Sequence, residues 1–115
     1  MGGRLYNTKN IITVPSYLEY ASQDPSALLH ELAVEHNYNL DQLEIQLVKR
    51  GKGYQKLYTI KTQEDIDLLL DYISHLGSNA ELFSDPISGH GEAAKFRKAS
   101  IKSGEIQDQL YDLMK

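Results

Sequence analysis

The side chains that could carry out chemistry are few, and they are scattered along the chain. The sequence has no cysteine, and its histidines stand at no recurrent ligand spacing, at His30, His36, His75 and His90. A zinc site needs three or four converging ligands, and a catalytic nucleophile needs a paired base. The sequence also lacks a nucleophile-elbow motif. It therefore predicts no catalytic residue, no metal site and no cofactor, and a protein that is not an enzyme.

A glycine-rich stretch near the C-terminus is the best candidate for binding an anion. Ser88-Gly89-His90-Gly91 is followed by the cations Lys95, Arg97 and Lys98. Such a turn before a helix can hold a phosphate group through its amides, but the full nucleotide-binding motif is missing, and a flexible linker is the simpler interpretation. The cations also precede Ser100 in a pattern that resembles sites of basophilic kinases, so Ser100 is a candidate phosphorylation site.

Charge is unevenly distributed over the sequence. A formal net charge of −4 argues against general affinity for nucleic acid, which needs a basic surface. Cations cluster at a predicted turn (Lys49, Arg50 and Lys52), and carboxylates crowd the following predicted helix (Glu64, Asp65, Asp67 and Asp71). Opposite signs on one small domain favour docking to another protein. The structural alternative is that turn tips are commonly charged and that carboxylates in a first helical turn favour the helix dipole.

The length and composition place the chain among single-domain globular proteins. Its 115 residues are enough for one core, and 41% hydrophobic with 24% charged residues is ordinary for a soluble protein. No apolar run approaches the roughly 20 residues of a membrane span, and the N-terminus carries no signal pattern. Together with the missing cysteines, this predicts a cytoplasmic protein without membrane contact.

The strongest local pattern predicts a helix that begins after Thr62. The Thr62 hydroxyl can cap the helix start, and Asp65 stands three residues on, where its carboxylate reaches the free amides. An apolar stripe follows at helical spacing, at Ile66, Leu69, Leu70, Ile73 and Leu76. Gly77 predicts the end of the helix, since glycine favours the left-handed conformation found there. Residues 79–83 then predict a short edge strand.

The sequence before Thr62 predicts strands and one further helix. Alternating residues predict strands over 43–48 and 54–60, joined by the turn Gly51-Lys52-Gly53. Asp24-Pro25 predicts the start of a helix that ends near Asn37. Nearer the N-terminus the pattern predicts a hairpin, formed either by strands 11–14 and 17–21 or by strands 4–7 and 10–14; periodicity does not choose between them.

This order of elements resembles the ubiquitin-like β-grasp fold. The fold class expected from it is α+β, with a mixed sheet of four to five strands, two helices on one face and a C-terminal tail. The expected division is an N-terminal arm over residues 1–9, the ubiquitin-like domain over 10–83, and a flexible or partly helical tail over 84–115.

The segments Asp41 to Leu47 and Tyr58 to Leu69 resemble a Phox/Bem domain of the type found in some MAP kinase kinase kinases. Members of that family associate head to tail, the acidic surface of one domain meeting a basic strand of another. The resemblance implies a signalling or scaffold module whose partner is another protein, with a domain of the same fold and homo-oligomers as options. The implied contacts are Lys9, Lys49, Arg50, Lys52, Glu64, Asp65 and Asp67.

One departure from that family sets the expected type of surface. Residues 49–53 carry cations where the family's acidic version has carboxylates, so a basic-surface variant is expected. The alternative function is a small regulatory protein that binds a phosphate-bearing ligand or nucleotide through residues 88–98.

Overall fold

The computed structural model describes residues 10–83 and 93–113, with side chains described for residues 10–82 and 96–113. Within these residues the chain has an α+β fold. Its elements are β1 (Ile11–Pro15), α1 (Ser16–Glu19), α2 (Pro25–Glu35), a 3-10 turn (Leu40–Gln42), β2 (Glu44–Arg50), β3 (Gly53–Thr59), α3 (Gln63–Phe83) and α4 (Ala93–Leu113). None of the described helices has the length and apolar character needed to cross a membrane.

The described sheet has three antiparallel strands in the order β1-β3-β2, so β3 is central. The predicted hairpin of β2 and β3 is confirmed, and its loop is only Gly51 and Lys52. Gly51 has a φ of 60°, the left-handed value that the first central position of such a tight turn requires. On β3, Tyr58 stands opposite Ile12 of β1 on one side and Ile45 of β2 on the other.

The predicted starts of both longer N-terminal helices are confirmed. The Asp24 side chain accepts a hydrogen bond from the Ala27 amide at 3.1 Å, and Pro25 is the first residue of α2. At the start of α3, the Thr62 hydroxyl accepts from the Asp65 amide at 3.2 Å, and the Asp65 carboxylate accepts from the Thr62 amide at 3.0 Å. Both helices therefore begin where side chains satisfy amides that lack a helical partner.

The predicted end of α3 at Gly77 is wrong, and so is the predicted strand over residues 79–83. The helix continues through Gly77 to Phe83. Gly77 instead lies where α3 and α4 cross: a Cβ atom there would lie 2.8 Å from the Cβ of Ser103, closer than real Cβ contacts come. The Ser103 hydroxyl donates a buried hydrogen bond to the Ile73 carbonyl at 2.9 Å. Glycine is needed here for the close approach of two helices.

The predicted hairpin of strands 11–14 and 17–21 is also wrong in its second strand. Residues 16–19 form the short helix α1, and β1 pairs with β3. Two successive residues of α1, Leu18 and Glu19, are both buried, which a strand with one solvent face would not allow. In the alternative hairpin, residues 4–7 lie outside the described residues. A sheet of four to five strands is thus not confirmed.

The C-terminal helix shares the core of the preceding elements. Ile106 and Leu110 are fully buried in α4, as is Ala99. They belong to the same apolar cluster as Ile12 and Tyr58. The helical part of residues 84–115 therefore completes the core instead of extending from it.

Candidate functional site

Three predicted contact residues form one exposed surface, which we name the basic tip (Lys49, Arg50 and Lys52). They lie at the turn end of the β2–β3 hairpin and are all exposed. Within the described part of the chain, none of the three takes part in an ion pair. The basic tip therefore presents three positive charges to solvent. The fourth predicted cation, Lys9, lies outside the described residues.

The acidic residues of α3 divide into two exposed carboxylates and one buried one. Glu64 and Asp67 are exposed, whereas Asp65 is only 3% exposed. The Asp65 carboxylate accepts hydrogen bonds from the Lys61 amide at 2.8 Å, from the Thr62 amide and from the Tyr38 hydroxyl. Asp65 thus caps the helix and anchors Tyr38, so the prediction that it contacts a partner is corrected: its carboxylate is already occupied.

The basic tip and the exposed carboxylates of α3 lie at opposite ends of the hairpin. β3 begins beside the tip at Gly53 and ends at Thr59, shortly before α3 begins. A seven-residue strand spans about 20 Å, roughly twice the distance over which salt screens charges at ordinary ionic strength. Glu64 and Asp67 therefore do not neutralise the tip. Each surface remains able to attract a charge on another molecule.

A buried polar network around Glu19 was not predicted from the sequence. Glu19 is 1% exposed and accepts hydrogen bonds from the Tyr54 hydroxyl at 2.7 Å and the Tyr72 hydroxyl at 2.6 Å. The Lys56 ammonium lies 3.2 Å from the same carboxylate. These partners are distant in sequence, and no local pattern marks Glu19 among the tyrosines around it. A buried position for a glutamate becomes evident only when α1 is known to be a helix.

The environment of this network fixes the protonation of its tyrosines. Burial raises the pKa of Tyr72 above its ordinary value, and the nearby Tyr58 and Glu19 raise it further. Burial likewise raises the pKa of Tyr58, with a further contribution from Glu19. The phenols therefore stay neutral, and those of Tyr54 and Tyr72 donate to Glu19. Because the carboxylate is closed to solvent, the network serves to join α1, β3 and α3 and offers no access to a substrate.

A cleft between α1 and α4 gathers cations around an aromatic ring. It has a volume of about 400 Å³ and is lined by Tyr17, Arg97, Lys98, Ile101, Lys102 and Glu105. The Lys98 ammonium lies 4.9 Å from the centre of the Tyr17 ring, within reach of a cation–π contact. Burial and the charge of Glu105 raise the pKa of Tyr17, which keeps its hydroxyl as a possible donor. Lys102 pairs with Glu105 at 3.5 Å, so the cleft keeps a net positive charge, mainly from Arg97 and Lys98, that suits a small anion.

The cleft includes only part of the predicted anion-binding segment. Arg97 and Lys98 line it, together with Lys102, which was not predicted. Residues 88–92 and the side chain of Lys95 lie outside the described part of the structure. Ser100, the predicted phosphorylation site, is partly buried and lines a second groove with Gly77 of α3. A kinase would need α4 to unwind there before it could reach the hydroxyl.

Two of the histidines contact one carboxylate. His36 Nε2 lies 2.9 Å from one oxygen of Asp71, and His75 Nδ1 lies 3.1 Å from the other. The first contact joins the end of α2 to α3. Among the described residues, no group of three or more potential ligands is arranged to hold a metal ion.

Comparison with known proteins finds no matching family model, no matching curated protein and no matching solved structure. The resemblance to Phox/Bem domains therefore stays a prediction that depends on the residues quoted for it. The function has to be argued from the surfaces described above.

Proposed function

We propose that this protein is an interaction module that docks onto an acidic surface of another protein through the basic tip, in signalling or scaffold assembly. The observation that supports this most is that the three cations are exposed and have no ion-pair partner among the described residues. They are exposed together at the end of a tight hairpin, and no carboxylate of the described chain is paired with them.

The arrangement suits electrostatic recognition. Charges of one sign on a small surface raise the rate of association with a surface of opposite sign and disfavour partners of the same sign. The exposed carboxylates Glu64 and Asp67, at the far end of the hairpin, give the molecule a second surface of opposite sign. The proposed interaction is therefore directional, and salt should weaken it.

The test reverses two charges at the tip and compares them with two reversed elsewhere. The variant Lys49→Glu with Lys52→Glu changes the tip, and Lys98→Glu with Lys102→Glu makes the same net charge change at the cleft. Each immobilised protein is used to recover binding proteins from a native extract at low and high salt. We expect the tip variant to recover at least about tenfold less of the salt-sensitive partners than the wild type does. The cleft variant should recover as much as the wild type. Equal recovery by the tip variant and the wild type would reject the proposal.

The cleft supports a second candidate function, the binding of a small phosphate-bearing ligand. Arg97 and Lys98 provide positive charge for a phosphate, and Lys102 adds a charge that is partly neutralised by Glu105 at 3.5 Å. Adenosine triphosphate and inorganic phosphate should then shift the amide resonances of residues 97–102, and Lys98→Glu with Lys102→Glu should abolish the shifts. Unchanged spectra with millimolar concentrations of both compounds would exclude this function.

A further inference from the structure

No described strand pairs with the outer edge of β2, although two apolar residues lie along it. Among the described residues β2 pairs with a strand on one side only, at β3. Ile45 and Leu47 stand opposite Tyr58 and Lys56, on the face of the sheet that carries the helices. They are nevertheless 44% and 59% exposed. An edge strand with exposed apolar residues is a surface on which a further strand can pair.

The register shows which backbone groups of β2 face that open edge. The Ile60 amide donates to the Asn10 carbonyl at 2.8 Å, so the even-numbered residues of β3 direct their backbone groups towards β1. The odd-numbered residues of β3 therefore face β2, where their partners are Glu44, Gln46, Val48 and Arg50. It follows that Ile45, Leu47 and Lys49 direct their amides and carbonyls towards the open edge.

We infer that a second copy of this chain pairs with β2 in antiparallel orientation, around a two-fold axis at Leu47. The inference deepens the proposed function, on which it rests, by naming one partner. In this register Ile45 and Lys49 of the two copies exchange backbone hydrogen bonds, and Leu47 pairs with its own equivalent. The result is a continuous six-stranded sheet across the dimer.

Charge complementarity selects this register. With the axis at Leu47, Glu44 lies opposite Arg50 of the second copy, and the two-fold axis repeats the pair. These are positions without backbone hydrogen bonds, where opposing side chains come closest. With the axis at Gln46, Glu44 lies opposite Val48; with the axis at Val48, it lies opposite Lys52, in the turn beyond the strand. Only the axis at Leu47 overlaps all seven residues of both strands.

The same register also buries apolar surface. Ile45 and Leu47 of both copies come together on the face of the sheet that carries the helices, where four apolar side chains cover one another. Two strands of seven residues form an interface at the low end of the range for specific complexes. The dimer is therefore weak and depends on protein concentration.

The first experiment is sedimentation equilibrium of the full chain over a wide concentration range. The wild type should show a monomer–dimer equilibrium. Leu47→Lys should raise the dissociation constant at least about tenfold, because lysine on an edge strand opposes pairing. Val34→Lys is the matched control, since Val34 is an exposed apolar residue of α2, and it should leave the constant unchanged. A wild type that stays monomeric at millimolar concentration, or a Leu47→Lys variant that dimerises like the wild type, overturns the inference.

The second experiment tests the partner and the register together. Glu44→Arg and Arg50→Glu should each weaken self-association, because each places like charges opposite one another. An equal mixture of the two variants should form heterodimers, in which both facing pairs are again Arg with Glu. The exposed ion pair of Glu44 with Lys61, at 3.0 Å, is lost in the first variant at little cost to folding. A mixture that associates no better than its components rejects this register.

The dimer can be tested separately from the proposed function. The single variant Lys52→Glu changes the tip in the turn, outside the paired residues 44–50. It should weaken the recovery of acidic partners and keep the dimer. A wild type that recovers partners but never dimerises would reject this inference and leave the proposed function standing.

Discussion

Ile12 and Ile45 occupy equivalent positions on the two sides of the central strand, but their surroundings differ. Both stand opposite Tyr58 and point to the same face of the sheet. Ile12 is 2% exposed and Ile45 is 44% exposed. Helices α1 and α4 pack against β1, whereas β2 makes its main contacts with β3. One half of the sheet is therefore packed into the core, and the other half is exposed.

The largest expected difference comes from removing the two isoleucines in turn. Ile12→Ala leaves a cavity in a packed core and should lower the free energy of unfolding by about 4 kcal/mol. Ile45→Ala removes a side chain that is already partly hydrated, so its cost should stay below about 1 kcal/mol. Urea unfolding at low protein concentration, where dimers are absent, measures both. Similar costs for the two substitutions would contradict the division of the sheet into a packed and an open half.

Two glutamates, one buried and one exposed, extend the comparison to polar residues. Glu19→Ala removes the acceptor of two tyrosine hydroxyls and the partner of Lys56, and it should cost about 3 kcal/mol. The estimate is at the lower end for a broken buried pair because the Lys56 side chain is 24% exposed. Glu44→Ala on β2 breaks only an exposed ion pair and should cost less than about 1 kcal/mol. The same urea experiment compares them, and a small effect of Glu19→Ala would show that the buried network adds little.

Two helical glycines allow a similar comparison between a packed position and an open one. Gly77→Ala places a methyl group against Ser103 and should destabilise the protein by about 1–2 kcal/mol, as overpacking does. Gly104→Ala meets no atom within 4 Å and should stabilise α4 by about 0.5–1 kcal/mol, because alanine favours the helix. Thermal unfolding, monitored by circular dichroism, shows whether each substitution raises or lowers the stability. Stabilisation by both substitutions would mean that the helices separate easily at Gly77.

The smallest expected effect concerns alkaline pH. The pKa values of Tyr58 and Tyr72 are raised in the folded protein, so both phenols stay neutral while those of the unfolded chain ionise near the ordinary value of 10.0. Their contribution to stability is constant well below pH 10 and falls as the pH approaches and passes 10. At pH 10 the loss is about 0.4 kcal/mol for each tyrosine. The urea concentration at the midpoint of unfolding, measured between pH 8 and 10.5, should fall as the pH rises. Tyr72→Phe should reduce the slope, and an unchanged slope would contradict the prediction.

The elements that the sequence predicts correctly are those fixed by neighbouring residues. The cap formed by Thr62 and Asp65 spans only four residues, and the turn at Gly51 and Lys52 depends on one backbone angle. Alternation along β2 and β3 was likewise enough to predict their pairing. Among the predicted contacts, the exposed cations of the tip followed from turn chemistry. Asp65 was wrongly placed among these contacts, because the local sequence around a capping aspartate is the same as that around an exposed one.

The features that were predicted wrongly, or not at all, depend on contacts between distant residues. Gly77 has the same local appearance at a helix end and at a helix crossing, and only the packing of Ser103 against it decides which is present. The burial of Glu19 depends on Tyr54 and Tyr72, which are 35 and 53 residues away. Such distances leave no periodic signal in the sequence. For the same reason, the three-stranded sheet was not predicted.

The short turn of the β2–β3 hairpin has a consequence for the kinetics of binding. A loop of two residues, closed through the left-handed backbone of Gly51, leaves the chain almost no freedom at that point. The backbone of Lys49, Arg50 and Lys52 is thus held in one conformation. If the tip docks as proposed, its partner meets a turn whose backbone is already ordered, so that binding costs little further ordering of the backbone and association is not slowed by it.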